Sequence, residues 1–133
     1  MQGSVATDAP VKTGLSTTEL ERRGTRFAFG APVTGAVTVG ETVVVSFGDG
    51  MLRFFRADQM PQELRLHDGV VLALAADGDG HVVTGGDDGQ FLRTSLEGDI
   101  EQLEDFGTRW VDCVAASHGH RACSSGKQAH VWT

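Results

Sequence analysis

Val83-Thr84-Gly85-Gly86-Asp87-Asp88-Gly89-Gln90-Phe91-Leu92-Arg93 is one of three near-copies of a single phrase in this chain. Upstream stands Val44-Val45-Ser46-Phe47-Gly48-Asp49-Gly50-Met51-Leu52-Arg53. Downstream, Ala122-Cys123-Ser124-Ser125-Gly126-Lys127-Gln128-Ala129-His130-Val131-Trp132-Thr133 keeps the cadence, with Lys127-Gln128 in place of the second Asp-Gly. Each phrase reads as two short strands joined by a tight turn. Asp-Gly suits such a joint because hairpins need positive φ at one or both central residues, which glycine adopts freely and Asp tolerates. The aspartates are therefore turn-formers first. Gly85-Gly86 lies inside a strand, where glycine weakens the sheet unless another backbone or side chain must come close.

Gly50 and Gly89 are 39 residues apart, a period that signals a propeller or solenoid rather than one globular core. Outward from the phrases, apolar and polar residues alternate. Val33–Val39, Thr42–Phe47, Met51–Arg56 and Gln62–Leu66 form one set of strands, spanning 33–66. Val70–Ala76, Val82–Gly86, Gln90–Ser95 and Ile100–Phe106 form a second, spanning 70–106. Trp110–Ala116, Arg121–Ser125 and Ala129–Thr133 make an incomplete third, 110–133. Arg26-Phe27-Ala28-Phe29 also alternates, so 25–29 is expected to be a strand, though one without a local partner. The expected organisation is a partial repeat domain over 24–133 preceded by a flexible tail, 1–23, that is small, polar and aperiodic. In that tail Ser16-Thr17-Thr18-Glu19 spells a capping box, with room for one helical turn before Gly24.

Composition agrees with an all-β chain: 133 residues, 40% apolar, with 18 glycines and 3 prolines. The formal charge of −7 repels phosphate backbones, so no nucleic-acid partner is expected. No stretch is long and apolar enough to span a bilayer and no secretory pattern opens the chain, which makes the cytoplasm the default compartment and excludes a membrane role. Two cysteines are too few for a disulfide framework and are expected as buried thiols.

His67-x-x-x-Val71-x-x-Leu74-x-Ala76-x-x-Asp79-Gly80 followed by Thr84-Gly85-Gly86-x-Asp88-Gly89 resembles a WD40 repeat. Phe55 in the first set and Trp132 in the third fall where that family places a strand tryptophan. The resemblance covers about residues 25–133 and implies an incomplete WD40-type β-propeller of four-stranded antiparallel blades, about two and three-quarter of them. It further implies a hydrogen-bonded structural network of His67, Thr84 and Asp88, short of its fourth member because Thr94 stands in the tryptophan's place. Propellers have typically four to eight blades. The expectation is therefore an N-terminal portion of a longer propeller, or a chain that completes itself with copies or another chain through its open edges.

Other constellations are open to a chemical reading. Cys113, His118, His120 and Cys123 are zinc-ligand types, but Ser117–His120 occupies a hairpin joint from which the histidines would splay away, so no metal is expected. Asp77-x-Asp79-Gly80 with Asp87 and Asp88 suggests calcium, yet no bidentate glutamate closes a loop. The glycine turns lack the lysine and helix of a phosphate loop. His67 beside Asp68 has no nucleophile in a recognisable setting. Arg109-Trp110 combines the residue types that dominate interfaces, against the plainer expectation that Trp110 starts an inner strand and packs in the core.

The expected function is a protein-interaction scaffold with no catalytic role and no cofactor, presenting Ala57–Pro61, Leu66–Gly69 and Gly107–Arg109 to protein partners. The alternatives are a zinc-dependent or hydrolytic enzyme built on the His/Cys/Asp cluster, and a self-assembling structural module.

Overall fold

The computed structural model describes residues 4–6 and 18–133, which fall into two compact units, 1–31 and 32–133. In the first unit, β1 (Ser4–Ala6) pairs antiparallel with β2 (Arg26–Ala28), with Val5 opposite Phe27. Between them lies one helical turn, α1 (Glu19–Arg22), closed by the Arg22 N–H on the Thr18 carbonyl at 3.1 Å. Two expectations are corrected here. The strand at 25–29 has a local partner, and residues 1–23 are not wholly a tail, because they supply that partner. Three residues of Ser-Val-Ala are too few to show a period, so sequence pattern could not find β1. Ser16 and Thr17 of the capping box lie outside the described residues.

In the second unit each expected set becomes one antiparallel meander. The first blade is β3 (Val33–Val39), β4 (Thr42–Phe47), β5 (Met51–Phe55) and β6 (Gln62–Arg65). The second is β7 (Val71–Asp77), β8 (His81–Gly86), β9 (Gln90–Ser95) and β10 (Ile100–Asp105), and the third β11 (Val114–Ser117), β12 (His120–Ser125) and β13 (Gln128–Trp132). Gly50 and Gly89, with φ +85° and +80°, make the turns the Asp-Gly pairs require, and Asp49 and Asp88 accept the Met51 and Gln90 N–H groups across them. Strand register aligns the repeats: Val43 faces Phe55, Val82 faces Thr94, and Arg121 faces Trp132.

The pleat sends consecutive residues of the middle blade to opposite neighbours. Val82 and Leu92 join Val44, Leu52, Phe54 and Leu66 in a core shared with the first blade. Val83 and Phe91 join Val111 and Cys123 in a core shared with the third. Both faces of β8 are covered, so it is buried almost throughout, whereas β4 keeps Val43 exposed and β13 leaves Val131 66% exposed. Fully burying one such valine contributes about 1.5–3 kcal/mol, so the middle blade anchors the unit.

Gly85 and Gly86 leave no room for a side chain. A Cβ on Gly85 would overlap the Val111 carbonyl and side chain, and one on Gly86 the His67 ring. The third blade's inner strand starts at Val114, not at Trp110, because Val111 donates its N–H to the Gly86 carbonyl at 3.1 Å and passes over β8 before the new sheet begins.

Candidate functional site

Antiparallel order places the joints 48–50, 66–70, 87–89, 106–113 and 126–127 at one end of the three sheets, and 40–41, 56–61, 78–80, 96–99 and 118–119 at the other. Of the three loops expected to make contacts, Leu66–Gly69 and Gly107–Arg109 therefore share an end, while Ala57–Pro61 is at the opposite one.

The shared end is braced by His67. Its ring is 1% exposed, with Nδ1 2.9 Å from Asp88 Oδ1 and Nε2 2.9 Å from Thr84 Oγ1. A carboxylate can only accept, so Nδ1 carries a proton, and Nε2 pairs with the Thr84 hydroxyl. Asp88 also accepts the Asp68 N–H at 3.1 Å. Burial pushes its carboxyl upward, but the bonds from His67, Gln90 and Asp68 outweigh it and hold the pKa below the ordinary 3.8. The connectivity matches a hydroxyl, imidazole and carboxylate relay. Thr84 is 0% exposed, and these hydrogen bonds tie the loop after β6 to β8 and the Asp88 turn. Thr94, in the place of the family tryptophan, is buried with its hydroxyl unpartnered among the described residues.

A second cluster has no signature in the sequence. The Asp77 carboxylate accepts Arg93 Nε–H and Arg121 Nε–H, each at 2.8 Å, and the Gly78 N–H at 2.7 Å. Arg93 belongs to the same blade and Arg121 to the next, 44 positions along the chain, so one carboxylate clamps two blades. Burial raises its pKa, and the two guanidiniums more than offset this and leave it lowered. Arg53 is similarly held in the first blade, by Glu63 at 2.6 Å and by Asp49 at 3.5 Å, over the Phe47 ring.

The metal candidates separate. Val114 pairs with Cys123, so pleat alternation turns neighbouring Cys113 to the other face, where it is exposed while Cys123 sits in the core. The same alternation rules out a bridge between them, and Cys113 departs from the expectation of a buried thiol. Burial, with the charge of Glu104, pushes the Cys123 thiol up to about 11. His118 is in the turn itself, with φ +44°. Among the described residues no group of three or more His, Cys, Asp or Glu could hold a metal ion. The aspartates of the calcium pattern have other work: Asp77 on the arginines, Asp87 on the Val70 N–H at 2.9 Å, Asp88 on His67.

Trp110 is the main correction at this end. It is 59% exposed, and Val111 is buried in its stead. With Val111 pinned to Gly86, its neighbour is left to solvent. The loop is tied at several points: Phe106 N–H to the Gly89 carbonyl at 2.8 Å, Gly107 N–H to Asp105 Oδ1 at 2.8 Å, and Arg109 N–H to the Phe106 carbonyl at 3.4 Å.

No protein-family model matches the chain, and no curated protein does. Solved structures do. The WD40 β-propeller domain of Doa1 superposes with a TM-score of 0.63 at 20% identity, over 77% of this chain and 38% of that one. A chain from the crystal structure of the mitotic checkpoint complex gives 0.66 at 14% identity, over 82% and 38%. The computationally designed Ika8 protein gives 0.62 at 21% identity, over 78% and 34%. The fold is thus that of WD40 β-propeller blades, and the chain spans between a third and two fifths of the length of these solved chains. Among the described residues no helix is long and apolar enough to cross a membrane.

Proposed function

We propose that this chain is a non-catalytic protein-interaction scaffold whose contact surface is the sheet end carrying the Leu66–Gly69 and Gly107–Arg109 loops, with Trp110 as its anchor. The observation that carries this reading is the 59% exposure of Trp110 on a loop bonded to the second blade. An aromatic side chain has few rotatable bonds and loses little freedom on binding, which is one reason such residues dominate interfaces. His67, Thr84 and Asp88 serve this surface as a structural network that keeps its loops in register. Solved chains of this fold include one from the mitotic checkpoint complex, which supports a role in assembly here. A cytoplasmic setting belongs to the same reading, supported by two thiols on opposite faces of a sheet.

A photo-crosslinking residue at Thr108 should capture a discrete protein partner that Trp110→Ala abolishes, whereas one at Glu97, at the opposite end, should not. Capture that is equal at both positions or indifferent to Trp110→Ala would refute the reading. Self-association is a second reading, favoured by the small apolar face of the third blade, where Val131 stands 66% exposed beside Ala115 and Ala122. Light scattering tests it: Val131→Lys should convert an oligomer to a monomer, and a wild-type monomer at all concentrations excludes it.

A further inference from the structure

The chain carries a formal −7, and most of its described arginines are engaged. Arg53 is on Glu63, Arg93 and Arg121 are on Asp77, Arg56 bonds Gln62 and the Leu96 carbonyl, and Arg65 bonds the Asp49 carbonyl. Arg109 and Lys127 in the second unit, like Arg23 in the first, differ: among the described residues none of these side chains makes an ion pair or hydrogen bond, and all are exposed. Arg109 Nη1 lies 3.6 Å from where a Cβ on Gly126 would stand, so the guanidinium reaches across the seam between the second and third blades to the turn whose next residue is Lys127. Two cations without a partner among the described residues thus lie on neighbouring turns of an acidic molecule, and the exposed Trp110 follows Arg109 in the chain. Nearby carboxylates are already bonded, Asp105 to the Gly107 N–H and Asp112 to the Ser124 hydroxyl, each at 2.8 Å.

We infer that this patch receives an acidic peptide segment in which carboxylates flank an apolar side chain. The inference rests on the scaffold reading above and adds the chemistry of the partner. Arg109 would grip a carboxylate with its planar fork, Lys127 would act as a point charge, and Trp110 would cover the apolar residue. On a chain that is acidic as a whole, these two exposed cations make a local exception that an acidic segment can recognise.

The test uses a fluorescein-labelled 12-residue peptide alternating Glu and Leu, with counterparts carrying Gln or Lys in place of Glu. The Glu peptide should bind saturably, with the Gln and Lys peptides each weaker by about tenfold or more. Arg109→Glu/Lys127→Glu and, separately, Trp110→Ala should each lower affinity for the Glu peptide by about tenfold or more while melting with the wild type. Equal binding of all three peptides, binding indifferent to the double charge reversal, or no binding of the Glu peptide overturns the inference. If Trp110-dependent crosslinking at Thr108 persists in that case, the scaffold reading survives and only the acidic chemistry falls. If both fail, both fall.

Discussion

Asp77→Asn is the substitution that most directly tests how the blades are joined. It keeps the side chain's shape and removes the one charge that both Arg93 and Arg121 share. The Asp77 side chain is 1% exposed and the two arginines 19% and 14%, so little solvent is at hand to take over. Removing one partner of a buried ion pair typically costs about 3–5 kcal/mol. Arg93 has a weak alternative in Glu101 at 3.8 Å and both arginines are partly wet, so the lower end, about 3 kcal/mol, is expected. For a domain of this size that lowers Tm by about 10 °C or more. Urea unfolding followed by far-ultraviolet circular dichroism and tryptophan fluorescence measures the loss, and a double-mutant cycle with Arg121→Met should show a coupling of about 1–3 kcal/mol. The sign with pH follows from the lowered pKa. The charged carboxylate stabilises the fold above the ordinary 3.8, and this is lost as pH falls through the still lower folded value. The gap between wild type and variant should therefore be flat at neutral pH and close in acid. A variant within about 0.5 kcal/mol of wild type, or additive effects of Asp77→Asn and Arg121→Met, would refute the clamp.

His67→Ala strips both Asp88 and Thr84 of a buried partner and opens a cavity, so it should cost about 3 kcal/mol and loosen hydrogen-exchange protection in 66–70 and 87–89 before β4 and β5. Gly85→Ala places a methyl against Val111 and should cost about 1–3 kcal/mol, with protection lost first in β11 to β13. Native-state labelling with a thiol reagent should modify Cys113 alone. Cys123, buried with its thiol pushed to about 11, should react only on unfolding, and rapid modification of both would contradict the packing.

Several features were legible in the residues. The repeat of Asp-Gly turns at a 39-residue spacing and the alternation between them point to sets of short strands, because hairpin geometry and pleat are local consequences of residue type, while the grouping of His67, Thr84 and Asp88 came only with the resemblance to WD40 repeats. Gly85 and Gly86 announced a close neighbour without naming it. The neighbours are Val111, from the segment leading to the next blade, and His67, from the loop before its own. Trp110 was misassigned by parity. In a segment of six or seven residues either Trp110 or Val111 can face the core, and only the hydrogen bond from Val111 to Gly86 decides.

By itself the sequence determined most of the strand segments of the blades, the hairpin turns and the repeat, all set by interactions within a few residues, but neither β1 nor the start of β11. The tertiary structure alone decided what meets across the blades: that Asp77 is shared by arginines from two sheets, that Cys113 and Cys123 face opposite ways, and that Arg109 reaches the turn before Lys127 beside an exposed tryptophan. These depend on how one sheet stacks on the next. That stacking brings together residues as far as 44 positions apart, a distance at which no local periodicity carries information.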